Sequence, residues 1–326
     1  MGSPDSCCYH LSGWKDVIER SFRHDTYYLY AEDESGQIKG ILPIVQLKSI
    51  LFGNYMVSLP GFNYGGICAD NEEAREQLLK EAIKIAKIQK MEHIELRHNQ
   101  DMGNGLPAKM AKVSMRLELP KSAEDLWSTF PSKLRSQIRK PEKEGMYSRF
   151  GREEELESFY TVFSINMRDL GTPVYSKHFF ENILKAFPEK TEICTVYTKE
   201  GRPVASGFLL NFKTMLEIPW ASSLKEFNRS SPNMLLYWSV LKFACQKGFK
   251  VFDFGRSTPG EGTFKFKEQW GSKPVQLYWH YWLKNGGPLP ELNPKNPKYH
   301  LAINVWKRLP VSLTRFIGPL IVKNLP

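Results

Sequence analysis

The segment Phe252–Gly271 (FDFGRSTPGEGTFKFKEQWG) holds the densest set of side chains able to do chemistry. Gly255, Gly260 and Gly262 let backbone N–H groups come close to an anion, and Arg256, Lys265 and Lys267 bring positive charge to the same loop. Asp253, on the apolar run that enters the loop, can orient it or accept a proton; the plainer alternative is a strand-end carboxylate paired with Arg256. For the lysines the plainer alternative is an edge strand, with the alternation Phe-Lys-Phe-Lys leaving each ammonium in solvent. In α/β architectures a loop beyond a strand's C-terminal end is where ligands sit, which favours the functional reading.

A second set lies in Ser132–Lys143, where Lys133, Arg135, Arg139, Lys140 and Lys143 fall in one predicted helix. Arg135 and Arg139 are one helical turn apart and share a face, so they can fork a phosphate with Lys140 beside them; a solvated basic face explains the same pattern. Pro141 is expected to end or kink this helix. Asn63 and Tyr64, in the Gly-rich run Pro60–Gly66, and Trp220, Asn233 and Tyr237 are candidates to contact a substrate, against the alternative that the aromatics are core. The scattered histidines give no H-x-x-x-H and the cysteines no C-x-x-C, so no metal site or disulfide framework is expected. There is no G-x-S-x-G, and Cys245 lies in an apolar helical run as a core residue.

The elements that must position these groups form an internal repeat. Strand-like Tyr27–Glu32, a turn at Ser35-Gly36 and strand-like Ile38–Val45 are followed by a helix over Glu72–Lys90 and a buried strand at His93–Leu96. The order returns as Ile193–Thr198, a turn at Glu200-Gly201, Pro203–Leu210, a helix over Pro232–Gly248 and a strand at Val251–Phe254. Helices are also expected at Glu153–Arg168 and Lys177–Phe187. Two such units predict two similar domains, placed at 1–120 and 121–285, with a proline-rich basic tail at 286–326. Leu301–Pro326 contains Lys307, Arg308, Arg315 and Lys323 and no acid, interleaved with apolar residues. It fits either a strap packed on the folded domains or a contact with an anionic membrane, made in short pieces because Pro310 and Pro319 divide it.

The loop Asp253–Ser257 with Gly262–Gly271, together with Ser58–Ile67, Leu170–Tyr175, Asn293–Tyr299 and Trp306–Pro310, resembles the FemAB-like proteins of exosortase and exopolysaccharide loci, within the Fem aminoacyltransferases. The resemblance spans nearly the whole chain and implies an α+β fold of two tandem GNAT-like domains, each with a mixed sheet, in agreement with the repeat. It also implies transfer of an amino acid from aminoacyl-tRNA to an amine. The Fem motif Phe-Lys-x-x-aromatic falls on Phe266-Lys267-Glu-Gln-Trp270, which gives Lys267 the role of stabilising the acyl-transfer transition state, with Lys265 as a shifted second choice. The basic helix resembles the Fem segment Arg-x-x-Ile-Arg-Lys-Ala. No heptad run marks a coiled-coil arm, and Lys225–Met234 lacks the glycines of a coenzyme A pyrophosphate loop.

Composition agrees with a folded chain that meets anions: 326 residues, 41% hydrophobic, 25% charged, formal charge +10. The N-terminal Met1–Asp5 lacks a basic, then apolar, leader, and no window is apolar for the length of a membrane span, so a cytoplasmic location is expected. The combined expectation is an acyltransferase with no tightly bound cofactor. Its catalytic set is Lys267, Arg256 and Asp253, its donor aminoacyl-tRNA or alternatively acyl-coenzyme A, and its acceptor a lipid-linked or nucleotide-linked glycan. The non-enzymatic rival is an adaptor that holds such a glycan.

Overall fold

The computed structural model describes residues 6–49, 52–103, 105–290 and 297–325, without the side chains of 297–300. Met1–Asp5 and most of the proline-rich run at 291–296 lie outside the described residues. The chain divides into two compact units, 1–113 with 275–292 and 323–326, and 114–274 with 293–322.

In chain order the first unit contains α1 (Gly13–Phe22), β1 (Thr26–Glu32), β2 (Ile38–Ser49), β3 (Gly53–Val57), β4 (Cys68–Ala69), α2 (Glu72–Ile88), β5 (His93–His98) and β6 (Ala108–Lys109). The second is built from β7 (Val113–Glu118), α3 (Ala123–Thr129), α4 (Ser132–Lys143), β8 (Tyr147–Gly151), α5 (Leu156–Leu170), α6 (Lys177–Ala186), β9 (Thr191–Tyr197), β10 (Pro203–Phe212), β11 (Met215–Ser223), α7 (Pro232–Gln246), β12 (Val251–Ser257), α8 (Gly262–Glu268) and β13 (Lys273–Gln276). β14 (Tyr278–Leu283) returns to the first unit, and α9 (Pro297–Trp306) and α10 (Val311–Val322) to the second.

Both sheets are mixed. Their orders are β1-β2-β3-β5-β14-β6, with β4 on β2, and β13-β7-β12-β11-β10-β9-β8. The repeat is visible in the pairing. Each unit has an antiparallel hairpin closed by a glycine at positive φ (Gly36, +78°; Gly201, +84°), a third antiparallel strand, a helix, and then a strand parallel to the third. In the first turn Asp33 Oδ1 accepts from the backbone N–H groups of Ser35 and Gln37, and Gly36 takes the left-handed conformation without a Cβ penalty. α2 buries Leu78, Ala82 and Ala86 at helical spacing against Leu42, Ile44, Ile94 and Leu96 of the sheet. α7 is apolar on nearly every side and buries Leu235, Leu236, Val240, Leu241, Ala244 and Cys245.

The structure corrects the expected division of the chain at two places. Tyr278–Leu283, expected in the second domain, pairs antiparallel with β5 of the first unit from Tyr278↔His98 to Leu283↔His93. Three buried polar contacts hold it there: Tyr281 Oη donates to Glu95 Oε2 (2.6 Å), His98 Nδ1 lies 3.2 Å from His280 Nδ1, and the Arg97 guanidinium stacks on Trp279 at 4.3 Å. The expected tail carries two helices, and α10 packs on α5. Pro141 sits in the last turn of α4, which continues two residues beyond it to Lys143.

Candidate active site

β11 and β12 form the parallel pair of the second unit, in register from Met215↔Val251 to Glu217↔Asp253. Residues paired in parallel register face the same side of the sheet, so the last pair sets two carboxylates side by side, Glu217 at 5% and Asp253 at 0% exposure. Glu217 was not anticipated from the sequence, although an acid within the apolar run Met215–Trp220 was a signal for it.

Asp253 is the anchor of the loop that follows. Its Oδ1 accepts from Ser114 Oγ (2.6 Å) and from the Gly255 N–H (2.7 Å), and Arg116 Nε lies 3.3 Å from Oδ2. The carboxylate is therefore tied to Arg116 on the neighbouring strand β7, a partner different from the Arg256 pairing considered above. Gly255 has φ +75°, which L side chains rarely adopt. Successive carbonyls of a regular strand point opposite ways; the left-handed glycine turns two of them to one side. The carbonyl oxygens of Gly255 and Arg256 both accept from Lys267 Nζ, at 3.0 and 2.8 Å.

The segment that the plainer alternative reads as an alternating edge strand is the helix α8. Lys265 and Lys267, two residues apart, face different sides: Lys265 is exposed and Lys267 is buried. Burial lowers the Lys267 pKa from its ordinary value to about 8; Asp253 and Glu217 oppose that shift and Arg256 adds to it. An ammonium has three N–H donors, and two are committed to carbonyls. The third has no acceptor among the described residues. Two further buried donors on the same segment also lack a hydrogen-bond partner there, Ser257 Oγ and Trp270 Nε1. Arg256 projects outward from the strand end.

Around this lysine the sequence candidates separate into groups. Tyr237 stacks on Phe254 (5.5 Å) and meets Phe266 edge-on (5.1 Å), so Tyr237 and Phe266 join the Lys267 surroundings, and burial raises the Tyr237 pKa. Asn233 is half-buried in the first turn of α7. Trp220 belongs to another cluster, edge-on to Phe179, Phe180 and Phe208 at 5.1–5.7 Å. In the first unit Asn63 and Tyr64 are buried, with Tyr64 6.2 Å from Tyr9 in an aromatic core that includes Trp14 and Phe62.

α4 carries the basic set. Ser132, Arg135, Ser136, Arg139 and Lys143 line a groove of about 400 Å³. Arg139 lies over the Trp127 ring at 5.2 Å, and Lys140 Nζ donates to the Arg229 carbonyl, so Lys140 points to another side of the helix. Among the described residues no carboxylate forms an ion pair with Arg135, Arg139 or Lys143. A larger open groove, about 1200 Å³, follows α2 in the first unit, where Glu72, Glu76, Lys80, Lys84 and Lys87 are the solvent side of that helix. No group of three or more His, Cys, Asp or Glu able to hold a metal occurs among the described residues.

Residues 128–268, which include α4, the β11–β12 pair and α8, match the family described as "Acetyltransferase (GNAT) domain". The chain carries an acyltransferase domain. The fold recurs beyond it: FemX superposes with a TM-score of 0.70 at 16% identity, over 93% of this chain and 96% of FemX. The C-terminal domain of a putative lysylphosphatidylglycerol synthetase from Agrobacterium fabrum gives 0.55 at 13% identity, over 81% and 92%. A tandem GNAT protein from the clavulanic acid biosynthesis pathway gives 0.53 at 9% identity, over 89% and 91%. At these identities the likeness is one of fold, a tandem GNAT arrangement of the FemX type. No curated protein matches the chain.

Proposed function

We propose that this acyltransferase moves an aminoacyl group from aminoacyl-tRNA to an amine of an envelope or exopolysaccharide precursor carried on a lipid or a nucleotide, in the cytoplasm and at the inner face of the membrane. The observation that carries the reading is the uncommitted third donor of the buried Lys267 ammonium. The acceptor amine attacks the ester carbonyl carbon, and the carbonyl electron pair moves onto oxygen. The resulting oxyanion takes a hydrogen bond from Lys267, preorganised by two carbonyls in a site largely removed from water. Collapse breaks the bond to the tRNA ribose oxygen, which takes up a proton as the amine nitrogen loses one. Arg256 adds positive charge, and Asp253 holds the loop in shape. Arg135 and Arg139 take phosphates of the donor or of the acceptor carrier, while Lys265, Phe266, Tyr237 and Asn233 complete substrate binding around Lys267.

Names of fold relatives support the aminoacyl reading: FemX, and a synthetase whose product name, lysylphosphatidylglycerol, describes an aminoacylated lipid. The entry to α7, Lys225–Ser231, contains no glycine, which disfavours a coenzyme A pyrophosphate loop. The test is turnover with aminoacyl-tRNA and with acetyl-coenzyme A, each with an amine acceptor. Consumption of the tRNA ester is expected, and Lys267→Met should slow it by about 100-fold with little change in melting temperature. Consumption of acetyl-coenzyme A alone would replace the donor. Near-wild-type turnover by Lys267→Met would remove Lys267 from the chemistry.

A further inference from the structure

α10 is fixed to the second unit along one side only. Thr314 and Val322 are buried there, and Gly318 approaches so closely that a Cβ would meet the Val174 backbone nitrogen at 2.8 Å and oxygen at 2.9 Å. Arg315 Nε donates to Ser164 Oγ (2.8 Å) and its guanidinium covers the Tyr160 ring at 5.1 Å. Arg168 Nη1 reaches the Leu309 carbonyl (3.2 Å) and so pins the turn between α9 and α10. This is a firmly seated element.

Its other side is apolar and faces out. Leu313, Phe316 and Leu320 recur at i, i+3 and i+7, with exposures of 39%, 75% and 58%. On α9, Leu301 (71%) and Val305 (54%) repeat the pattern one turn apart. Phe316 and Leu301 are the two most exposed large apolar side chains among the described residues. A helix face that met only water would carry polar groups at these positions, so this one has a cover.

Charge selects the cover. From Leu292 to Pro326 the chain has no Asp or Glu but contains Lys295, Lys298, Lys307, Arg308, Arg315 and Lys323, and Lys307 and Arg308 are exposed at the end of α9. A second copy of the same face would bring like charges together. An anionic bilayer supplies both an apolar boundary and negative headgroups. Among the described residues no helix is long and apolar enough to cross a membrane, so the contact is interfacial.

We propose that α9 and α10 form an interfacial docking surface for an anionic lipid bilayer, with Phe316 and Leu320 entering the boundary between headgroups and acyl chains and Lys307 and Arg308 on the headgroups. The inference is independent of the acyl-transfer reading, because its readout is lipid binding without turnover. The full chain is floated with phosphatidylcholine vesicles, with and without phosphatidylglycerol. It should float only with the anionic vesicles, and less as salt rises. Phe316→Ser with Leu320→Ser should cut the bound fraction by about tenfold at unchanged melting temperature, since both side chains are exposed. Lys307→Gln with Arg308→Gln should weaken binding and flatten its salt dependence. Failure of the intact protein to float with anionic vesicles overturns the proposal, as does flotation of the Phe316/Leu320 double variant at the intact level. A concentration-dependent dimer that this double variant abolishes, with no flotation, assigns the face to a second copy instead.

Discussion

Holding the Lys267 ammonium out of water leaves its charge dependent on pH near the working range. Its pKa falls from the ordinary lysine value to about 8, so between about 8 and that value the folded protein binds fewer protons than the unfolded chain. Stability therefore rises with pH through this window: below about 8 the buried charge opposes folding, and deprotonation relieves it. If Lys267 is the oxyanion donor, activity should run the other way, since its cationic form is lost as pH rises through about 8. Because the Asp253 carboxylate holds the Lys267 pKa up, Asp253→Asn should move the alkaline limb of kcat/KM to lower pH. A loop-anchoring role alone would lower kcat and leave the limb in place, so pH–rate profiles of the two proteins separate the functions. The motif singled out Lys267, which the structure buries against the Gly255 and Arg256 carbonyls. Ser114, Arg116 and Glu217 were not singled out, because their meeting with Asp253 depends on which strands become neighbours, and β7 is far from β12 in sequence.

At the scale of elements, α8 shows where pattern reading runs out. Four residues of Phe-Lys-Phe-Lys fit a two-residue period, but so short a run cannot separate it from a helical period, and tertiary burial of Lys267 and Trp270 decides the outcome. α4 was legible because its cations and apolar residues recur over three turns, burying Leu134 and Ile138 and presenting the Arg135–Arg139 face, although the helix runs two residues past Pro141. If that face binds phosphates, Arg135→Ala with Arg139→Ala should weaken binding of tRNA and reduce the slope of log K against log salt by roughly 0.7–0.9 for each phosphate left without its arginine. An unchanged slope, measured by fluorescence anisotropy across a salt series, would identify a solvated face.

On the scale of the whole molecule, the repeat was legible because each unit spells the same hairpin, helix and strand. The destination of β14 was not, since a strand that follows a unit ordinarily pairs within it. Its return supplies the Tyr281 hydroxyl to buried Glu95 and the Trp279 ring to buried Arg97, so a fragment ending at residue 120 leaves both groups without these partners and leaves β5 as an open edge. Such a fragment should be insoluble or lack a cooperative melt, measured by circular dichroism. The same fragment supplied with a peptide covering 275–292 should regain solubility if β14 is the missing piece.

The same strand sets a timetable for biosynthesis. At about 5–20 residues per second, a ribosome that has finished β5 needs roughly ten to forty seconds to reach the end of β14. Throughout that interval His93–His98 belongs to a nascent sheet that cannot close, while the second unit is being translated in between. The early half of the polypeptide thus carries an open β5 edge, exposed to wrong pairing, until its late-made strand emerges.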